Sequence, residues 1–429
     1  MLVVELGLGG GTHLIVSYAR QLAISTGIHV DLVTVAPRPA MLTDPGPLPV
    51  IGLAEARRHH YDVAIGTWWS TAGTLFELDV DRRLAFLHSL DTRFYRESEF
   101  FERAGAAGLW TAPVDFIVVG SWIARTLGEL RPDARVRIVR HGFDRAVFGL
   151  RLREPLEGPL RILVDGAPTV WLKGVPEALE ATCRMREPRH VTLVTLDGTV
   201  PALGEDICVG PLDPDAMAAL YAHSDVLLKL SRFEGCPLPP IEAALAGVPT
   251  VMAPFTGHDD VGRHGHDVIL VGFDDADGVA QTLDLLARDR ALLARLGANA
   301  RTKAQDWPDL VGAGEAFSAA VTELMSGPRP SVAAAARGRT HRARLARARP
   351  GDGRSQRGPS RTSRGTRGGA RAGPMPRAVT PTLSIRCGQP APRRRVPTAP
   401  ATHSRDWLRT SRWELARMSR WEWAGTRTL

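Results

Sequence analysis

Short apolar runs alternate with stretches of helical periodicity twice along this chain, and that alternation constrains the fold more than any other feature. Runs rich in Val, Ile and Leu, separated by amphipathic helices, predict parallel sheets built from βα units. In the first series, strands are expected at residues 2–5, 29–35, 62–66, 84–88, 116–120 and 137–140. A helix is expected over 13–25, where Leu14, Ile15, Tyr18, Ala19, Leu22 and Ala23 share one face. The second series places strands at 161–164, 190–196, 226–230 and 250–253, with helices at 176–183, 214–222, 240–245 and 276–303. A last helix, 314–325, is expected to cross back onto the first unit. The reading is an α/β protein of two Rossmann-like domains facing each other across a cleft, residues 1–150 and 151–326.

Residues 327–429 differ in kind. They hold 24 arginines, no lysine and four acidic residues, which leaves 30 basic against 42 acidic residues in the rest of the chain. The formal net charge of +8 therefore joins a strongly basic tail to an acidic core. A basic balance points to nucleic acid or membrane partners, but here only through the tail, and no specific nucleic acid is expected. Its Arg, Gly, Pro and Ser content cannot bury enough apolar area to offset ordering entropy, so a disordered segment is expected. The composition also resembles a GC-rich gene read in a shifted frame. A repeated Ser-Arg-Trp-Glu, at 411–414 and 419–422, would suit a peripheral membrane contact.

No apolar run reaches eighteen residues. Four cysteines, Cys183, Cys208, Cys236 and Cys387, lack CxxC spacing, which favours a reducing compartment without structural zinc. A cytoplasmic place is expected, with at most peripheral contact at the inner membrane face.

The most informative segment is Ser231-Arg-Phe-Glu234-Gly235-Cys-Pro237-Leu238-Pro-Pro-Ile-Glu242, ending at Gly247-Val-Pro249. It reads as strand, glycine loop, proline-started helix, glycine stop and strand. A helix N-terminus at the carboxyl end of a parallel strand offers unpaired N–H groups and positive potential, which suits a diphosphate. Glu234 on the loop and Glu242 in the helix can hydrogen-bond two different diols, one on a sugar and one on a ribose. Taken alone, two such glutamates would more often be unrelated surface residues.

The segment resembles the E-x7-E signature of family 4 retaining glycosyltransferases, and the similarity extends over roughly residues 1–325. Within it, Gly10-Gly11 resembles the glycine pair near the donor phosphates, and Phe86-Leu-His88 the strand-end histidine near the reacting carbon. Ser121-Trp-Ile-Ala resembles the family's serine after a strand, and His141-Gly142-Phe-Asp144 its interlobe linker. Trp171-Leu-Lys173-Gly174 resembles the turn whose lysine binds the diphosphate. Trp68-Trp69, Phe94-Tyr95 and a short first lobe resemble a subgroup with rhamnosyltransferase-like members.

The resemblance implies the two-lobed GT-B fold and retaining transfer from a nucleotide-sugar to a saccharide or lipid-linked acceptor. The implied catalytic pair is His88 and Glu234. The implied donor site is Gly10, Gly11, Lys173, Gly235, Pro237, Leu238 and Glu242, with no metal and no cofactor beyond the nucleotide-sugar substrate. Two departures stand out. No arginine precedes Lys173 where the family usually has one, so Lys173 is left with helix dipoles or with Arg232; and His141 replaces an asparagine. The alternatives are a catalytically silent nucleotide-sugar binder and, from another class, a nucleic-acid binder acting through the arginine-rich tail.

Competing motifs are weaker. Gly7-x-Gly9 has Thr12 where a dinucleotide fingerprint needs its third glycine, and no Lys-Ser/Thr follows to make a P-loop. Asp79-Val-Asp81 imitates a metal-binding DxD but is read as solvated surface on a connecting stretch.

Overall fold

The computed structural model describes residues 1–328, apart from 8–9, 37–38, 150–152, 154–156, 196–206 and 211, together with residue 330. The expectations for the arginine-rich tail, and for Gly9 in the first glycine loop, lie outside the described residues.

The first sheet contains β1 (Leu2–Val3), β2 (Leu32–Thr34), β3 (Val50–Gly52), β4 (His60–Gly66), β5 (Asp79–Leu87), β6 (Asp115–Val118) and β7 (Val136–Ile138), in the order β3-β2-β1-β4-β5-β6-β7. The second contains β8 (Leu160–Asp165), β9 (Arg189–Val194), β10 (Ile207–Val209), β11 (Val226–Lys229), β12 (Thr250–Met252) and β13 (Val268–Leu270), in the order β10-β9-β8-β11-β12-β13. Their neighbouring strands pair in parallel, as runs buried on both faces require.

Helices cover the first sheet: α1 (Gly10–Thr26), α2 (Leu53–Ala56), α3 (Trp69–Thr74), α4 (Phe100–Leu109) and α5 (Ser121–Leu130). The second is covered by α6 (Val175–Cys183), α7 (Pro214–Ala222), α8 (Leu238–Leu245), α9 (His258–Val261), α10 (Ala276–Arg288) and α11 (Arg290–Ala304). The last helix, α12 (Leu310–Ser326), returns to the first lobe. Its Phe317, Val321 and Leu324, spaced on one face, are buried with Tyr18 and Phe86 in the first lobe's core. Each such side chain contributes about 1.5–3 kcal/mol. Gly314 lets α12 approach α1 so closely that an added Cβ would meet Gln21.

Three expectations change. The single helix expected over 276–303 is two, because Asp289 leaves helical geometry (φ −100°, ψ 78°) and caps α11 through its carboxylate, which accepts from the Leu292 amide at 2.8 Å. Asp79-Val-Asp81 starts β5 and is not a connecting stretch: Val80 turns inward while both aspartates face out and pair with His60 of β4. Cys183, at the end of α6, is disulfide-bonded, against the expectation of unpaired thiols. No helix among the described residues is long and apolar enough to cross a membrane.

Candidate active site

In each sheet the strand order reverses once, between β1 and β4 in the first and between β8 and β11 in the second. At such a switch point the helices leave on opposite faces, opening a crevice beyond the carboxyl ends of the strands. In the second lobe that crevice is charged. β8 ends in Asp165 and β11 in Lys229, and the Lys229 ammonium donates to the Asp165 carboxylate at 3.0 Å and to its carbonyl at 3.1 Å. It also lies 3.5 Å from Glu234 on the following loop.

Lys173 reaches the same carboxylate from the other crossover. It closes a short helical turn, Trp171–Lys173, and donates to both Glu234 oxygens at 3.0 and 3.2 Å. Gly174 then turns the chain with φ +64°, and a Cβ there would collide with the Leu230 carbonyl, so glycine is required on both counts. Burial acts to raise the Glu234 carboxyl, but Lys173 and Lys229 outweigh it and hold the group down to about 2. Burial likewise acts to lower the Lys229 ammonium and is outweighed by Asp165 and Glu234, so its pKa rises. The result is two cations and two anions in one cluster. Lys173 is its most exposed member at 30%.

α8 begins at the edge of this cluster. Pro237 is its N-cap, prolines fill the first turn, and no acid or side-chain cap occupies that end. Pro237, Pro239 and Pro240 carry no N–H, so the Leu238 amide is the donor that this end offers, with the positive end of the helix dipole behind it. Glu242, one turn on, accepts from the Tyr221 hydroxyl of α7 at 2.9 Å. Burial, with Asp165 nearby, pushes its carboxyl up to about 7, although the Tyr221 hydrogen bond and Lys229 act in the opposite direction.

The first lobe brings a matching end. α1 starts at Gly10-Gly11 without an acid in its first turn, and Gly10 lies so close to α8 that an added Cβ would sit 2.5 Å from a Leu238 methyl. Gly235 is more tightly constrained, because a Cβ there would collide with the His88 backbone carbonyl across the cleft. The Trp122 indole donates to the Gly235 carbonyl at 2.8 Å. His88 follows β5 and is partly buried, and its Nε2, which is itself shielded from solvent, has no hydrogen-bond partner among the described residues. Burial lowers its pKa to about 4. His141 stacks on it at 5.5 Å and is lowered to about 3 by burial and by His88.

Two further contacts hold the lobes together. Asp260 of the second lobe caps the N-terminus of α5, accepting from the Ser121 amide at 2.9 Å and its hydroxyl at 2.7 Å. Arg93 donates to Thr256 at 2.8 Å and lies over the Phe233 ring.

Glu234, Lys173, Gly235, Pro237, Leu238 and Glu242 thus gather around one crevice, with Gly10 and His88 facing it from the other lobe. Gly11 is beside Gly10 in the first turn of α1, with open space where a Cβ would go. Arg232 is turned elsewhere, paired with Glu177 and Asp274 at 3.1 and 2.6 Å, so it does not take up the role of the missing arginine. Sequence reasoning gave no role to Lys229, Asp165 or Tyr221. A lysine ending the otherwise apolar run Val226–Lys229 was the available signal for the first.

Residues 204–303 match the family model described as glycosyl transferases group 1, a span running from before α7 through the Glu234 loop and α8 into α11. Glycogen synthase of Mycobacterium tuberculosis is 28% identical over 190 residues, which cover 41% of this chain and 46% of that protein. An MMP alpha-(1->4)-mannosyltransferase of Mycolicibacterium hassiacum is 30% identical over 185 residues, covering 40% and 44%. The chain spans less than half the length of these curated relatives.

Among solved structures, a sucrose-phosphate synthase from Thermosynechococcus elongatus has a TM-score of 0.62 at 18% identity, covering 74% of this chain and 94% of that one. Anabaena HepE in complex with UDP-glucose has a TM-score of 0.61 at 15% identity, covering 75% and 98%. At such identities the shared property is the fold. This chain therefore has the two-lobed GT-B fold, and its residues 204–303 are similar to the glycosyl transferases group 1 family.

Proposed function

We propose that this chain transfers a hexosyl or deoxyhexosyl group from a nucleoside-diphosphate sugar to a saccharide or lipid-linked acceptor, with retention of anomeric configuration. The observation that carries the reading is the Lys173–Glu234–Lys229 cluster at the switch point of one sheet, facing the N-terminus of α1 and His88 of the other. The second lobe, residues 151–326, takes the donor, and the first, residues 1–150, presents the acceptor.

In this reading the diphosphate takes Lys173, the open amides of α1 at Gly10 and Gly11, and those of Gly235 and Leu238, with Pro237 setting the turn between them. Fixed donors of this kind stabilise charge developing on the leaving group without reorganisation. Glu234, ionised by its lysines, accepts from sugar hydroxyls, and Glu242 accepts from the ribose diol. His88, neutral because of its burial, turns an uncharged ring toward the reacting carbon. A protonated ring would repel an oxocarbenium ion there. We assign no protein nucleophile, metal or cofactor, and no specific nucleic-acid partner. The retaining and rhamnosyl-like assignments rest on the family resemblance. A cytoplasmic place, peripheral to the inner membrane face, rests on the expected donor, since the disulfide at Cys183 does not favour a reducing compartment.

The test is the thermal midpoint of the full chain against UDP-, GDP-, dTDP- and ADP-sugars. One nucleotide should raise the midpoint, by the equivalent of about 2.7 kcal/mol at a hundred times its Kd. Glu242→Ala and Lys173→Ala should each remove that response. If no donor moves the midpoint, the reading fails. A second reading, a nucleotide-sugar binder without transfer, is favoured by the absence of arginine between Asp165 and Lys173 and by the pairing of Lys173 with Glu234. Glycosyl product formed from donor and acceptor would eliminate it.

A further inference from the structure

Between the lobes lies an open cleft of about 620 Å³, bordered by Leu90 after β5, Trp122 of α5 and Trp171 of the turn that ends at Lys173. Its lining departs from the rest of the described chain in charge. Outside the tail, acidic residues outnumber basic ones 42 to 30, yet here Arg93, Arg96 and Arg103 face a single acid, Glu97. The Arg93 guanidinium is already committed to Thr256 and Phe233. Those of Arg96 and Arg103 form no ion pair with a carboxylate among the described residues, and Arg96 lies over the Trp171 ring at 5.6 Å. Around them stand Trp110, Trp171 and Tyr95. Aromatic faces accept the apolar side of a pyranose ring, and a planar guanidinium binds a phosphate or carboxylate through paired N–H donors.

We infer that this cavity is the acceptor site and that the acceptor is an anionic saccharide, its ring against the aromatic wall and its phosphate or carboxylate on Arg96 and Arg103. The inference rests on the proposed glycosyl transfer for the name acceptor, and on the cavity alone for the chemistry it selects. Two guanidinium groups with no carboxylate partner among the described residues favour a ligand that brings its own negative charge. The cavity adjoins the loop carrying Glu234 through Trp122, which is bonded to Gly235, so a sugar held there lies next to the proposed donor carbon.

The experiment titrates the full chain with glucose 1-phosphate, glucuronate and glucose, following the tryptophan fluorescence of the cavity wall. Both anionic sugars should bind at least about tenfold more tightly than glucose, and the double substitution Arg96→Gln, Arg103→Gln should remove that advantage. Glucose 1-phosphate against glucuronate tells phosphate from carboxylate. Added salt should weaken the anionic sugars and leave glucose unchanged, which tests the charge even if the double variant does not fold.

Equal affinity for glucose, no binding by any of the three sugars, or no change with salt overturns the inference. So does loss of glucose 1-phosphate binding in Lys173→Ala with the arginine variant unaffected, because the sugar would then occupy the donor crevice. Nucleotide response is measured separately on the unaltered chain. A nucleotide response without anionic selectivity overturns the acceptor inference alone, and selectivity without a nucleotide response overturns the transferase reading alone.

Discussion

Replacing Lys229 by methionine removes one cation from the buried cluster and leaves the volume of the side chain nearly unchanged. Lys229 is 2% exposed, and its ammonium is the ion-pair partner of Asp165 as well as a neighbour of Glu234. Removing one member of a buried pair costs about 3–5 kcal/mol, chiefly because the remaining charge is left without a partner. For a lobe of this size each kcal/mol lowers the midpoint by about 2–4 °C, so a fall of roughly 10 °C is expected. The assay is urea and thermal denaturation of Lys229→Met beside the double variant Lys229→Met, Asp165→Asn. The double variant should recover more than half of the loss, since it removes the stranded carboxylate as well.

The acid limb adds a second reading of the same substitution. Glu234 titrates near 2 in the folded chain against an ordinary 4.5, so its contribution is complete above 4.5 and is lost as pH falls toward 2. Without Lys229 the folded value rises, and the acid loss in that window should shrink. A deficit below about 1 kcal/mol, or a double variant as unstable as the single, would refute the cluster as described.

Three other outcomes follow from the same geometry. Gly235→Ala forces a Cβ against the His88 carbonyl and displaces the loop proposed to meet the diphosphate, so the nucleotide response should weaken and transfer fall about 10²-fold, measured as product formed per minute. His88 and His141 have folded values of about 4 and about 3, below the ordinary 6.5, so the chain should lose stability as pH falls from 6.5 toward 3. His141→Phe should flatten that slope by up to about 1.4 kcal/mol per pH unit in urea titrations. Asp260→Ala removes the cap that α5 receives from the opposite lobe and should cost about 1 kcal/mol, read as a midpoint shift, with greater protease access to the cleft.

The parallel sheets were legible because their strands are continuous apolar runs, and Pro214, Pro239 and Gly247 mark where helices start and stop. The missed elements are those with little local signal. β3 is three residues long, and α3 opens at the paired tryptophans, whose ring contacts with Phe94 and Tyr95 come from a distant loop. The E-x7-E spacing pointed to the crevice, but nothing local pairs Lys229 with Asp165. Those two meet only because β8 and β11, sixty residues apart, lie side by side in register. The arginines of the cleft were equally silent, since Arg96 meets Trp171 of the other lobe, and Arg103 borders the same cleft, only in the folded chain.

The return of α12 to the first sheet also sets the order in which the chain can become native. A ribosome releases residues 1–138 first, with all seven strands of the first sheet, yet Phe317, Val321 and Leu324 of that lobe's core are still unsynthesised. Arg135 and Arg137, which bind the end of α12, wait as well. The second lobe, made later, has its strands and covering helices by residue 304 and can fold before the first is sealed. Emergence order and completion order are thus reversed, and during synthesis the face of α1 that later receives α12 is the exposed apolar surface a chaperone would meet.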